Sequence, residues 1–375
     1  MSAAPRAVPL HSPGARHAAD ATAREAAALR ALRSGRYVGG PERDAFEAAL
    51  ADAMGWPFAV GVSSGTEALS LALMALGLQP GDEVLVPAVS FFATAGAVLR
   101  LGARPVMVDV RADLPLMDEQ DAILAMGPQV RAAVPVHLFG LDAGATPSLR
   151  GAYPALQVVD DLAQAAGSGP SLGGGRFGAL SFYPTKVLGA PGDGGAVLCR
   201  DIDDQQRVVR LGHHGRGPTG AHEAVEGWIG GNARLSELSA AVLRVELDSL
   251  PARVAARQRT AARIVGALRG RLRFVLPPGG PTGNVALLCL RHPRPAALHD
   301  RLAARGVGSA RYYPRSLGAE PALQGRARLR PCPEAEAFCR EALAVPCRED
   351  MTEADVEHVI LSLIDAADAL AQAPR

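Results

Sequence analysis

The chain has 375 residues, 48% hydrophobic and 21% charged, with 41 glycines and 29 prolines. This is a globular composition, long enough for one large and one smaller domain and outside the disordered and fibrous classes. A net charge of +1 provides no broad basic field for nucleic acid or an anionic membrane.

Residues 1–20 are rich in Pro, Ala and Arg without periodicity and read as a loosely ordered arm. They lack the apolar stretch of a secretory signal, and no apolar run reaches the roughly 20 residues of a membrane span, so a soluble cytoplasmic protein is expected. Helical patterns follow from Ala21 to Leu32 and from Arg43 to Met54, separated by the turn cluster SGRYVGGP. From Phe58 short apolar runs alternate with amphipathic stretches: FAVGV, a helix from Glu67 to Leu76, EVLVPA, a second helical stretch, PVMVDV, then runs at 132–138, 156–160, 179–183 and 195–199. Apolar strands joined by helices predict an α/β fold with a mostly parallel sheet. After Asn232 the patterns are helical, RLSELSAAVLRVELDSL and then ARVAARQRTAARIVGAL. A mixed region follows PPGGPTG at 277–283, with strands near 284–290 and a last helix from Glu353 to Ala371. The expected organisation is the arm 1–20, a large domain 21–250 and a small α+β domain 251–375.

Of the 39 Lys and Arg residues only Lys186 is a lysine, and the other 38 are arginine. Arginine stays protonated in proteins, whereas an ammonium can lose its proton and act as a nucleophile. A single surviving amine is either a chance surface residue or a group held for chemistry such as Schiff-base formation. It lies in SFYPTKVLGAPGDGG, between a strand and a glycine-rich turn. The five cysteines form no C-x-x-C pair and are odd in number, so neither a zinc site nor a disulfide framework is indicated, and a reducing compartment is the default.

Two other segments carry chemistry. FAVGVSSGTEAL runs from a strand through Ser-Ser-Gly-Thr into a helix, which fits both an ordinary N-cap and a phosphate site on a helix N-terminus. In VVDDLAQ an apolar strand ends in two carboxylates, and strand alternation lets only one of Asp160 and Asp161 face a given pocket.

The runs SSGTEALSLALMALGLQPGDEVLVPAVSFFAT, VVDDLAQA, FGALSFYPTKVLGAPGDGGAV and GNARLSELSAAVLRVEL, in this order, resemble the DegT/DnrJ/EryC1/StrS family of sugar aminotransferases over most of the chain. GGGRFG at 173–178 is not a strand-linked G-x-G-x-x-G, so a dinucleotide-binding reading is set aside. The resemblance implies the pyridoxal-phosphate transferase fold type I, with a large α/β/α domain and a smaller C-terminal α+β domain. It implies Lys186 as the lysine that forms the internal aldimine and shuttles the proton, and Asp161 as the acid facing the pyridine nitrogen. It implies Gln164 near the ring hydroxyl, Phe91 stacked on the ring, and Gly65, Thr66 and Ser181 around the phosphate. Asn232 matches an asparagine that reaches the phosphate from the other subunit, which implies a homodimer with shared active sites. The implied reaction moves an amino group from an amino acid, usually L-glutamate, to a nucleotide-linked keto sugar; no metal, nucleic acid or membrane is involved.

The motifs resemble the 3-keto branch more than the 4-keto branch, whose counterpart often carries GEGG, although Ser239 and Glu246 stand where that branch more often has Gln and Lys. A 4-keto sugar or cyclitol ketone is the alternative acceptor. A sugar dehydratase of the family would have histidine in place of Lys186, and a non-catalytic regulator would not need the full set of site residues. Tyr183, His214, Arg234 and Tyr313 are candidate substrate contacts, Arg311 is a further candidate carboxylate partner, and His137 is expected to be structural.

Overall fold

The structure is a computed structural model and describes residues 6–144, 146–169, 172–217 and 229–372; the first five residues of the expected arm lie outside the described residues. Three helices come first: α1 (Pro13–Ala19), α2 (Ala21–Arg33) and α3 (Pro41–Met54). Helix α3 starts at Pro41, two residues before the expected start, because proline's fixed φ and missing N–H suit the first helical position. It ends at Gly55, whose φ of 65° is left-handed.

The main sheet and its helices run β1 (Phe58–Val62), α4 (Gly65–Ala75), β2 (Glu83–Pro87), α5 (Ala93–Arg100), β3 (Arg104–Val108), α6 (Glu119–Leu124), β4 (Val130–Ala133), α7 (Pro147–Ala152), β5 (Gln157–Asp161), β6 (Phe177–Ser181), β7 (Gly195–Cys199) and α8 (Ile202–Leu211). The strand order is β1-β7-β6-β5-β4-β2-β3. Every pairing is parallel except those of β7, which is antiparallel to both β1 and β6. Alternation along β7 sorts the core: Val197 packs with Leu69 and Leu73 of α4, while Ala196 and Leu198 pack with Phe46 and Leu50 of α3 on the other face. The run 132–138 is strand only as far as Ala133. Pro135 offers no N–H, and the chain turns through His137 to Phe139, whose φ is 61°.

The two helical patterns after Asn232 form one helix, α9 (Glu237–Ala267), which passes through the expected boundary at residue 250. Pro251 inside it costs a backbone hydrogen bond, but Leu243, Leu247, Leu250 and Val254 bury a continuous face against the main core. The remaining chain forms β8 (Arg273–Phe274), β9 (Leu288–Arg291), α10 (Pro295–Ala303), α11 (Pro333–Glu341), β10 (Ala342–Val345) and α12 (Glu353–Gln372). Its antiparallel sheet has the order β10-β9-β8 and packs on α12 and α10 through Leu290, Leu343, Leu298, Val359 and Leu363. Among the described residues no helix is long and apolar enough to cross a membrane.

The expected loose arm is anchored where it is described. Val8 is buried and forms a parallel bridge with Val307, and α1 is tied by Arg16 to Glu349 at 2.9 Å. Aperiodic sequence concealed this because every one of these partners is more than 290 positions away. Glu246, the unusual residue of α9, is buried between Arg24 of α2 and Arg253, with Asp20 at 3.1 Å from Arg253. A carboxylate flanked by two guanidinium groups is electrostatically consistent there, and a lysine would not be.

Candidate active site

Strand β5 ends at the carboxyl edge of the parallel sheet with two buried acids on opposite sides. Asp160 accepts a hydrogen bond from the Gly175 N–H at 2.8 Å and lies 3.2 Å from His137 Nε2. The other ring nitrogen of His137, Nδ1, accepts from the Ala143 N–H, so Nε2 carries the proton and donates to Asp160. A Cβ at Gly173 or Gly175 would lie within 2.6 Å of that carboxylate, so the 173–175 turn is closed onto it. Asp160 and His137 thus fasten loops.

Asp161 points the other way. Its Oδ2 accepts from the Thr94 hydroxyl at 2.8 Å, Thr94 is 2.7 Å from the Ser90 hydroxyl, and Oδ1 accepts from the Ala163 N–H at 3.1 Å. Burial pushes this carboxyl up, while the Thr94 and Ala163 bonds and the charge of Lys186 act in the opposite sense. Lys186 lies beyond the end of β6. Burial pushes its amine down, and Asp161 pulls it back up. The sole lysine and the strand-end acid therefore share one buried electrostatic environment, in which the amine loses its proton more readily than on a surface.

Gln164 Oε1 accepts from the Phe139 N–H at 2.7 Å, and its amide nitrogen lies 3.3 Å from the Tyr313 hydroxyl. Burial, then Asp161, holds Tyr313 in its phenol form. The Tyr313 ring is 6.4 Å from that of Phe91, which is 61% exposed, and Tyr183 is 53% exposed. Large aromatic faces thus stand open beside a buried amine and acid, the arrangement of a site for a planar polar ligand.

Helix α4 begins at the same edge of the sheet. The Ser64 hydroxyl caps it by accepting from the Glu67 N–H at 3.1 Å, and among the described residues the N–H groups of Gly65 and Thr66 have no acceptor. A Cβ on Gly65 would lie 2.6 Å from Cβ of Ser181, so only glycine lets the helix start sit against the end of β6. Ser181, Gly65 and Thr66 thus meet at one corner, where a helix N-terminus abuts the end of β6.

Asn232, His214 and Arg234 stand apart, in the segment between α8 and α9. Asn232 bridges His213 and accepts from Arg234 Nε at 3.0 Å, Arg234 Nη1 is 3.3 Å from His213 Nε2, and the His214 N–H donates to the Gly231 carbonyl. Among the described residues no hydrogen bond or ion pair joins this group to Lys186, Asp161 or Ser181. Arg311 donates to the carbonyls of Cys339 and Arg340, so this guanidinium is engaged in holding the chain.

Residues 19–364 match the DegT/DnrJ/EryC1/StrS aminotransferase family. The chain belongs to that family. The dTDP-3-amino-3,4,6-trideoxy-alpha-D-glucose transaminase of Streptomyces venezuelae is 37% identical over 358 residues, 93% of each chain. The UDP-N-acetyl-3-dehydro-alpha-D-glucosamine 3-aminotransferase of Acidithiobacillus ferrooxidans is 36% identical, covering 88% of this chain and 89% of that one. The crystal structure of S. venezuelae DesV in complex with a ketimine intermediate superposes with a TM-score of 0.90 at 36% identity, over 99% of this chain and 100% of that one.

Within this aminotransferase, sequence reasoning missed the residues that act at one remove. Thr94 and Ser90 hold Asp161, and their i, i+4 spacing in PAVSFFAT was the available signal. His11, 3.2 Å from the Tyr312 hydroxyl, and Arg16, which donates to the Lys186 carbonyl at 2.7 Å, come from the supposed arm and had no such signal.

Proposed function

We propose that this aminotransferase transfers an amino group from an amino acid, L-glutamate, to a nucleotide-linked 3-keto sugar, a 3-keto-6-deoxyhexose or a related 3-keto hexose, using pyridoxal phosphate bound at Lys186. The observation that carries this reading is the pairing of the only lysine with Asp161 in one buried environment, bordered by open aromatic rings and the Gly65–Ser181 corner. The residues fit the cofactor. Burial leaves Asp161 short of positive charge, and the anion corner has N–H groups to give. The names of the relatives, both for 3-amino or 3-dehydro sugars, favour the 3-keto class.

When bound, pyridoxal phosphate supplies a carbonyl for the amine and a ring that withdraws electrons from the substrate carbon. Lys186 would be the nucleophile that holds it, and its Nζ would hold and move the proton. Its lowered affinity for a proton suits both tasks. Asp161, fixed by Thr94 and the Ala163 N–H, would supply the negative charge that keeps a proton on the ring nitrogen. Phe91, Gln164, Gly65, Thr66 and Ser181 are the residues that would hold it, Phe91 and Gln164 at the ring and Gly65, Thr66 and Ser181 at the phosphate. The separation of Asn232 from this site within one chain is accounted for by a homodimer, in which the partner subunit's Asn232 completes the phosphate site and brings His214 and Arg234 toward the substrate entrance. Tyr183 and Tyr313 border the space for the sugar.

The test is to add L-glutamate to purified holoenzyme and follow the visible absorption of the bound cofactor. The band is expected to bleach and to return on adding a dTDP- or UDP-linked 3-keto sugar, with an amino sugar as product. A band that persists with every amino donor would overturn the proposal.

A further inference from the structure

The loop that carries Lys186 is gripped through its main chain. Arg16 Nη1 donates to the Lys186 carbonyl at 2.7 Å and lies 3.4 Å from the Pro184 carbonyl. The loop closes so tightly around this guanidinium that a Cβ at Gly189 would sit 2.9 Å from Arg16 Nη1 and 2.8 Å from the Pro184 oxygen. The other side of the fork is fixed as well: Arg16 Nε donates to Glu349 at 2.9 Å, and the second oxygen of Glu349 takes Arg257 Nη1 at 2.7 Å. Arg257 in turn donates to the carbonyls of Val285 and Ala286. Burial would raise the Glu349 carboxyl, but Arg257 and then Arg16 bring it down to about 2, so it stays charged between them. Upstream of Arg16 the chain is pinned to the C-terminal part by the bridge from Val8 to Val307 and by Arg348 on the Pro9 carbonyl.

Three distant segments, residues 8–16, α9 and the 348–349 turn, are thus linked through Arg16 to one main-chain carbonyl. That carbonyl belongs to the single amine-bearing residue. We propose that Arg16 is a positioning residue for Lys186: by holding its carbonyl from the N-terminal strap, with Glu349 as the fixed point, it sets where the amine stands relative to Asp161. The inference rests on the proposed role of Lys186 in the reaction. A planar fork with five donors in fixed directions can serve a carboxylate and two carbonyls in a set geometry, whereas an ammonium is a rotating point donor and an amide has only two N–H groups. Catalysis is sensitive to displacements of about 1 Å, so loss of this grip is expected in turnover before it is seen in substrate binding.

The experiment compares full-length wild type, Arg16→Ala, Glu349→Gln and a control in the same strap, Arg6→Ala, whose exposed ion pair with Asp355 does not touch the lysine loop. Arg16→Ala is expected to lower kcat about tenfold with the donor KM within about twofold, to regain turnover with added methylguanidinium, and Glu349→Gln is expected to follow it more weakly. A second readout needs no turnover: because Lys186 is the sole side-chain amine, its rate of arylation by trinitrobenzenesulfonate on the cofactor-free chain can be followed by peptide mass. That rate is expected to rise about threefold or more in Arg16→Ala as the amine loses its fixed place, and to stay at the wild-type value in Arg6→Ala. Wild-type kcat and arylation rate in Arg16→Ala would overturn the proposal, and so would a fall matched by Arg6→Ala. If borohydride fails to fix pyridoxal phosphate to wild-type Lys186, the proposed function falls instead, and the arylation comparison still decides the role of Arg16.

Discussion

Replacing Gly65 with alanine probes the proposed phosphate corner with a single methyl group. That methyl would lie 2.6 Å from Cβ of Ser181, 3.0 Å from its Oγ and 3.1 Å from its Cα. Carbon atoms rest at about 3.5–4.0 Å, so roughly 1 Å must be found. Ser181 cannot yield it, because it pairs in register with Gly195 of β7, and a Cβ at Gly195 would itself lie 2.5 Å from the Ser64 carbonyl. The start of α4 must therefore lift away from the sheet, taking the Gly65 and Thr66 N–H groups with it. A hydrogen bond of about 2.9 Å stretched by about 1 Å is no longer one. Losing one charge-assisted bond of about 1.5–3 kcal/mol corresponds to roughly 10- to 100-fold weaker cofactor binding. Absorbance titration of the cofactor-free chain with pyridoxal phosphate measures this, alongside a thermal melt. A folded Gly65→Ala chain that binds within about twofold of wild type would show that the Gly65 and Thr66 N–H groups do not hold the cofactor. The double variant Gly65→Ala/Ser181→Gly removes the Cβ and Oγ collisions, so it is expected to recover melting temperature without recovering affinity. Strictly additive losses in stability would show that the two residues do not collide.

Asp161→Asn is expected to retain cofactor but lose about 100-fold or more in kcat, since an amide cannot hold a proton on the ring nitrogen. Asp160→Asn is expected to keep most turnover and lose about 1–3 kcal/mol of stability through its His137 and Gly175 bonds, and the reverse ranking in kinetics and melts would exchange the two acids' roles. Lys186→Arg is expected to fold with its charge retained yet leave no borohydride-fixed cofactor by mass spectrometry; a fixed adduct would mean the amine was misassigned. The Glu349 carboxyl sits at about 2 against an ordinary 4.5, a depressed value, so its contribution of about 3 kcal/mol is present above pH 4.5 and lost as the pH falls toward 2. Melting temperatures of wild type and Glu349→Gln are expected to converge across that window, and parallel curves would contradict the sign.

What could be read from the sequence was whatever local periodicity encodes. Strands buried on both faces announce themselves as apolar runs, so β1, β2, β3 and β7 were visible, as were α2, α3 and α12. Strand β8 is only two residues long, and β10 follows α11 with no turn residue between Glu341 and Ala342, so neither leaves a pattern. Pro251 reads as a break and is not one, because the apolar face on either side of it outweighs the missing hydrogen bond. Alternation said that Asp160 and Asp161 must diverge. Only contacts made across the fold, with Thr94 for one and with Gly175 and His137 for the other, determine which faces the amine. The anchored N-terminal segment is the extreme case, since its partners Val307, Tyr312, Arg348 and Glu349 all lie in the last part of the chain.

The distribution of cations follows from the same physics. Buried arginines here work as multidentate struts: Arg257 serves one carboxylate and two carbonyls, Arg16 one carboxylate and the lysine loop, and Arg24 and Arg253 enclose Glu246. Each role exploits a planar fork that stays charged when desolvated, which a lysine fills poorly because burial drives its proton off. The property that disqualifies lysine from those positions is the one required at position 186, where burial lowers the amine's hold on its proton beside Asp161. A chain whose composition disfavours lysine therefore gives up little structurally by using arginine for every strut. Under the role proposed for Lys186, it cannot make the same exchange at the one site where the cation must be able to become an amine.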